Sequence, residues 1–247
     1  IKNLISTGLL VIILLAIFNL VNWDLFIQSI MNINPIYLTI GVIMSLFCPL
    51  INAERWRNVL KAFEIIISFK RSFNSVMISF SANLFAPAKA GDFIKVFLLK
   101  DVKNKSLLTS AVAAERVGDL LVLALLALIV GILTKLYLSI IIGGVLLISI
   151  LFFLFLISKL EIKFKNPILF KIWNIIKNTG KVWRNKFLIL RYSLFYSFIN
   201  WFLISIQVWI LFMAINVNIN LFTVMCLFPL TVLLSIIPLT PGNVGVR

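Results

Sequence analysis

Long apolar runs separated by short polar connectors set the rhythm of this chain. Residues 4–21 form the first run, 18 positions or about 27 Å of helix at 1.5 Å per residue. No small-x-small cleavage site follows it, so it reads as an uncleaved spanning anchor. Residues 22–35 hold Trp23 and Asp24 but no Lys or Arg, which predicts an outer connector with the tryptophan at the interface. Residues 36–51 predict a return to the inside. Beyond them Trp56, Val59, Leu60, Phe63 and Ile67 recur at helical spacing among Arg55, Arg57 and Lys61. That pattern predicts a short amphipathic helix on the inner interface. Residues 106–134 and 136–157 predict two further spans, the second with Gly143-Gly144 as a close-packing point. Residues 192–215 predict another, with Asn200 and Gln207 on one face as interhelical hydrogen-bond partners. Residues 221–237 predict the last, kinked at Pro229.

Two stretches break the rhythm. Residues 73–86 make only 14 positions, diluted by Ser75, Ser79, Ser81 and Asn83. They end at Pro87 and Gly91, and a basic connector follows with Lys89, Lys95, Lys100, Lys103 and Lys105. A full crossing would leave one of two basic connectors outside. A re-entrant segment keeps both inside and is preferred, because non-helical backbone at depth is allowed where it lines a cavity. The second break holds Pro238, Pro241, Gly242 and Gly245. Pro87-x-x-x-Gly91 and Pro241-x-x-x-Gly245 share a spacing, with Lys95 and Arg247 after them. Approached from opposite sides, they suggest an inverted repeat. Two unrelated helix ends would look the same.

Charge inside apolar sequence marks the candidate site. Counting about 20 residues back from Thr134 reaches Glu115, so Glu115, Arg116 and Asp119 belong at the inner edge of the hydrocarbon. Glu115 and Asp119 are i,i+4 neighbours, and Arg116 can pair with Asp119 at i,i+3. Ser110, Ala114 and Gly118 form a small-residue stripe beside them that admits another helix. The cluster is either a clamp onto the re-entrant segment or a polar lining for a lipid headgroup or ion. Lys89, Asp92 and Lys95 stand at the break itself. Lys95, with Lys89 and Arg247, could receive a phosphate beside helix ends with unpaired N–H groups. Otherwise Lys95 only adds to the inner positive charge.

Composition agrees with the pattern. The chain is 62% hydrophobic and 13% charged, with a mean hydropathy of +1.12. Soluble domains run at roughly 45–50% apolar. The expectation is an all-α, polytopic integral membrane bundle with five or six spans and re-entrant segments. It forms one domain over residues 1–247, truncated at its C-terminal end. The net charge of +15 comes from 23 Lys+Arg against 8 Asp+Glu. It gathers in connectors, which points to the positive-inside bias rather than nucleic acid. Residues 158–191 carry nine basic residues against Glu161 alone, with Ile168, Ile172, Ile175, Ile176 and Trp183 on one face. That is either a basic amphipathic helix on an anionic leaflet or an ordinary inner loop. There is no histidine, and the two cysteines, Cys48 and Cys226, lie in apolar runs. No metal site, cofactor site or disulfide framework is expected. No nucleophile–base pair is visible, so an enzyme is disfavoured.

Four pieces together resemble the membrane region of the lysylphosphatidylglycerol synthase family, the flippase-like half of the multiple peptide resistance factor and its stand-alone relatives. They are Trp56-Arg57-x-x-Leu60, Pro87-x-x-x-Gly91-Asp92-x-x-Lys95, Glu115-Arg116-x-x-Asp119 and Pro238-x-x-Pro241-Gly242-x-x-Gly245-Val246-Arg247. Lys95 stands where relatives often carry arginine, and relatives usually continue past Arg247. The resemblance implies a plasma-membrane protein that binds and translocates a charged-headgroup lipid, either an anionic phospholipid or a polyprenyl-phosphate-linked one. Lys89, Asp92, Lys95, Glu115, Arg116, Asp119 and Arg247 would be its lipid-binding residues. The alternative is a membrane anchor or partner of a lipid-modifying enzyme, such as a glycosyltransferase or aminoacyl-lipid synthase. A homo-oligomer is also compatible.

Overall fold

The computed structural model describes residues 21–234 apart from 85, 161 and 163, with 15, 18 and 19 before them. The expected anchor at 4–21 falls almost wholly outside the described residues, as do Pro238, Pro241, Gly242, Gly245 and Arg247. The inverted repeat therefore has only one of its breaks among the described residues. Every regular element among them is helical. The order is α1 (Trp23–Met31), α2 (Pro35–Ala62), α3 (Phe69–Asn83), a 3-10 turn (Pro87–Phe93) and α4 (Ile94–Leu98). Then come α5 (Lys105–Thr134), α6 (Tyr137–Lys159), α7 (Pro167–Asn185), α8 (Phe187–Ala214) and α9 (Leu221–Leu234). Of these, α2, α5, α6 and α8 are long and apolar enough to cross a membrane, and α9 is a shorter apolar helix.

Local chemistry sets most boundaries. Asn22, Asn34, Ser68, Asn104 and Asn166 each accept a hydrogen bond from the first turn of the helix that follows. Pro35 and Pro167 occupy first-turn positions, where the missing N–H costs nothing. Lys135 closes α5 in the left-handed conformation with φ 58°, and α6 turns back at once. Ser139 Oγ then donates to Ala127 O at 2.7 Å. A Cβ on Gly143 would lie 2.7 Å from Ala124 O, so α5 and α6 approach backbone to backbone there. Gly144 makes only an ordinary contact with Leu128.

The predicted interfacial helix at 54–63 is not a separate element. It is the last part of α2, continuous with the preceding span through Pro49. Its stripe of Trp56, Val59, Leu60 and Phe63 meets protein rather than lipid. These residues form a core with Ile67, Val76, Val96, Leu108, Val112 and Leu190. The expected connector at 22–35 likewise contains α1.

α2 and α8 run antiparallel along most of their length. Asn34 N–H reaches Ala214 O at 2.8 Å, Gln207 Nε2 reaches Gly41 O at 2.9 Å, and Asn52 Nδ2 reaches Asn200 Oδ1 at 2.7 Å. Asn200 and Gln207 are thus the interhelical partners that the sequence suggests. α3 is 15 residues long, about 22 Å and too short to cross alone. After the 3-10 turn the chain returns beside it: Gly91 packs on Ala82 and Asn83, Ser79 meets Asp92, and Arg71 pairs with Asp101. The segment is a hairpin that comes back to the end where it began.

Candidate functional site

Four elements carry charge to one place above the packed end of the bundle. α2 brings Arg55, the 3-10 turn and α4 bring Asp92 and Lys95, and α5 brings Glu115, Arg116 and Asp119. Arg55 Nη2 and Nε donate to Glu115 Oε1 at 2.7 and 3.2 Å. Arg55 Nη1 pairs with Asp119 and donates to Ser197 Oγ at 3.2 Å. Lys95 Nζ donates to Glu115 Oε2 at 2.8 Å, lies 3.8 Å from Asp92 Oδ1, and sits 4.9 Å over the Trp56 ring. Arg116 bridges Asp92 Oδ2 at 2.6 Å and Asp119 Oδ2 at 2.9 Å. Ser197 Oγ and Trp201 Nε1 complete Asp119 at 3.2 Å each. Ser79 and Asn83 donate to Asp92.

The set closes electrostatically: three cations face three carboxylates. A single charge at a helix centre costs about 2.5–3.5 kcal/mol on insertion scales. Mutual pairing offsets that cost only if each partner is also well hydrogen-bonded, and Asp92, Glu115 and Asp119 each take at least two donors. The side chains of Arg55 and Lys95 are 3% exposed, whereas that of Arg116 is 26% exposed.

Of the residues singled out in the sequence, Asp92, Lys95, Glu115, Arg116 and Asp119 meet here. Lys89 lies in the 3-10 turn with its side chain outside the described residues, and Arg247 is outside them altogether. Arg116 does pair with Asp119. Glu115, however, is held by Arg55 and Lys95. Lys95 is buried and ion-paired, so it is no surface contribution to inner positive charge. The stripe of Ser110, Ala114 and Gly118 receives α7: Thr179 Oγ1 donates to Ser110 O at 3.2 Å, and Gly118 lies against Trp183.

Arg55 is the residue that sequence reasoning misplaced, as one of several inner basic residues. A signal was available. Ser45, Cys48, Asn52 and Arg55 recur every three or four positions along α2, the spacing of one helix face. All four line a cavity of about 430 Å³ that opens beside the charged set. Asn83, Asn200 and Gln207 line it too. Cys48, which lies in an apolar run, is thus a cavity residue. Two buried polar atoms of cavity-lining residues, Arg116 Nε and Asn83 Oδ1, have no hydrogen-bond partner among the described residues, and the second packs against Gly91. Trp201 and Ile204 form one wall, and their other side borders an apolar groove of about 590 Å³ between α8 and α9. Val208, Phe212, Val224, Leu227 and Phe228 line that groove.

The sequence profile of the lysylphosphatidylglycerol synthase TM region matches residues 3–247. The chain belongs to this family. Two membrane proteins of the UPF0104 group from Methanocaldococcus jannaschii are similar to it. MJ1078 is 34% identical over 176 residues, covering 66% of this chain and 74% of that protein. MJ1595 is 29% identical over 121 residues, covering 46% of this chain and 36% of that protein. No solved structure matches the chain. Membership fits the described helices: an all-α membrane protein in which Asp92-x-x-Lys95 and Glu115-Arg116-x-x-Asp119 converge on one ion-paired set.

Proposed function

We propose that this family member binds a lipid with a charged headgroup and moves it across the plasma membrane. One observation carries the reading: a polar cavity and an apolar groove share the wall made by Trp201 and Ile204. A lipid has the same two parts. Its headgroup would sit among Asn52, Asn83, Arg116 and Gln207, and one chain would lie along Val208, Leu227 and Phe228. The Arg116 side chain, a quarter exposed, can offer its guanidinium to a phosphate oxygen. Lys95 lines the same cavity while paired with Glu115, and in this reading it would share its charge between Glu115 and a headgroup phosphate.

The test is transbilayer movement of labelled phospholipid by purified protein in liposomes. Ser45→Phe fills the headgroup cavity and Val208→Trp fills the groove, and neither removes a member of an ion pair or a donor to one. Both are expected to slow movement at least tenfold with unchanged yield and melting. Wild-type rates in both would sink the reading. A parent protein that moves no lipid alone, yet does so with a co-purified enzyme, would instead favour the anchor role.

A further inference from the structure

α7 has an apolar face that the bundle covers only in part. Ile168, Ile172, Ile175, Ile176, Thr179 and Trp183 follow helical spacing along one stripe. At the C-terminal half the stripe is seated: Thr179, Gly180 and Trp183 are buried against α5. At the N-terminal half the same stripe is bare among the described residues, with Ile168, Leu169 and Ile172 between 47% and 66% exposed. The helix carries Lys171, Lys177, Lys181 and Arg184 and no carboxylate. Its start is firm, since the Asn166 side chain accepts from Ile168 and Leu169 N–H and Pro167 takes the first turn. It also starts eight residues after the end of α6, a helix with Phe152, Phe153 and Leu156 exposed. There Lys159 folds back over the Phe155 ring at 4.2 Å, as a lysine does where a lipid-facing helix leaves the hydrocarbon.

We infer that α7 docks on an anionic membrane leaflet, its bare apolar half inserted at the headgroup level and its lysines against acidic headgroups. Charge decides the occupant. A second copy would bring four more cations and no carboxylate to the same surface, which repels. Neutral lipid would satisfy the isoleucines but offer nothing to the charges of Lys171 and Lys181. A leaflet of phosphatidylglycerol satisfies both, and each lysine near such a surface favours docking by about fivefold. The anchored half lies against Gly118, between Arg116 and Asp119 in sequence, so the docked helix braces the helix that carries half of the charged set.

The test uses the full chain with Cys48 and Cys226 replaced and a nitroxide on Ile172→Cys, in nanodiscs. Accessibility to oxygen reports lipid, and accessibility to a nickel chelate reports water. In phosphatidylglycerol the label should be oxygen-accessible and shielded from nickel. In phosphatidylcholine it should turn toward water. Lys171→Gln with Lys181→Gln should lower the docked population in phosphatidylglycerol by about fivefold per lysine, and 1 M salt should act in the same direction. A label facing water in phosphatidylglycerol would overturn the inference. So would one shielded from both reagents, which means a protein cover, or one equally lipid-exposed in both lipids whatever the lysines.

Discussion

At the residue scale, Arg55 is the hinge of the charged set because it alone joins α2 to both Glu115 and Asp119. Arg55→Ala should remove a buried partner from two carboxylates at once. Breaking such a pair costs roughly 3–5 kcal/mol, so the folded yield and melting temperature in detergent should fall sharply. Adding Glu115→Gln should recover part of the loss. Arg116→Ala should cost less, because its side chain is a quarter exposed and Lys95, Ser79 and Asn83 still attend Asp92. Equal melting of Arg55→Ala and the parent would remove the clamp. Gly91 is a second demanding position. A Cβ there would lie 2.6 Å from the backbone of Ala82 and Asn83, which cannot swing aside as a side chain could. Gly91→Ala should destabilise by about 1–3 kcal/mol, the usual range for overpacking. A melting curve unchanged by this substitution would mean that the turn does not pack on α3 as described. Arg71 and Asp101, both in water at the open end of the hairpin, pair with each other, and the guanidinium holds the Asp101 carboxyl below the usual carboxylate range.

At the element scale, the hairpin of α3, the 3-10 turn and α4 is what puts charge at depth without a full crossing. Ser72 Oγ donates to Ala53 O, fastening α3 to the end of α2. Ser79 and Asn83, which dilute the apolar run and made it an awkward span, are the donors to Asp92. Their polarity is not a defect in a membrane helix but the means of solvating a buried carboxylate. Single cysteines at Lys70 and Asn104, in a background lacking Cys48 and Cys226, should therefore react with a membrane-impermeant reagent from the same side. Opposite sidedness would make residues 73–86 a full span and undo the hairpin. A second element-scale expectation concerns α5 and α6. Gly143→Leu should push them apart, since its Cβ would already meet Ala124 O and Leu128 N at 2.7 Å. Gly144→Ala should be tolerated. Thermal stability of the purified variants separates the two positions.

At the scale of the whole molecule, the bundle has a dense end and an open end. Trp56, Leu60, Leu108, Trp183 and Leu190 fill the dense end, and α6 turns bare Phe and Ile side chains outward along its length. The charged set and its cavity lie where the dense core gives way to the spans. The sequence alone determined the class, the long helices and most of their limits, because apolar run length, Asn and Ser caps and Pro at first turns are local signals. It also marked Asp92, Lys95, Glu115, Arg116 and Asp119 as out of place in lipid, since charge in an apolar run is conspicuous wherever it falls. It did not show that Arg55 belongs with them, nor that Trp56 and Phe63 face protein. In sequence, an arginine near other basic residues looks the same whether it points to water or to a carboxylate sixty residues away. Only the packing of α2 against α5 and α8 distinguishes those directions. The groove between α8 and α9 has the same origin: Val208 and Leu227 are ordinary apolar positions until two helices diverge around the space between them.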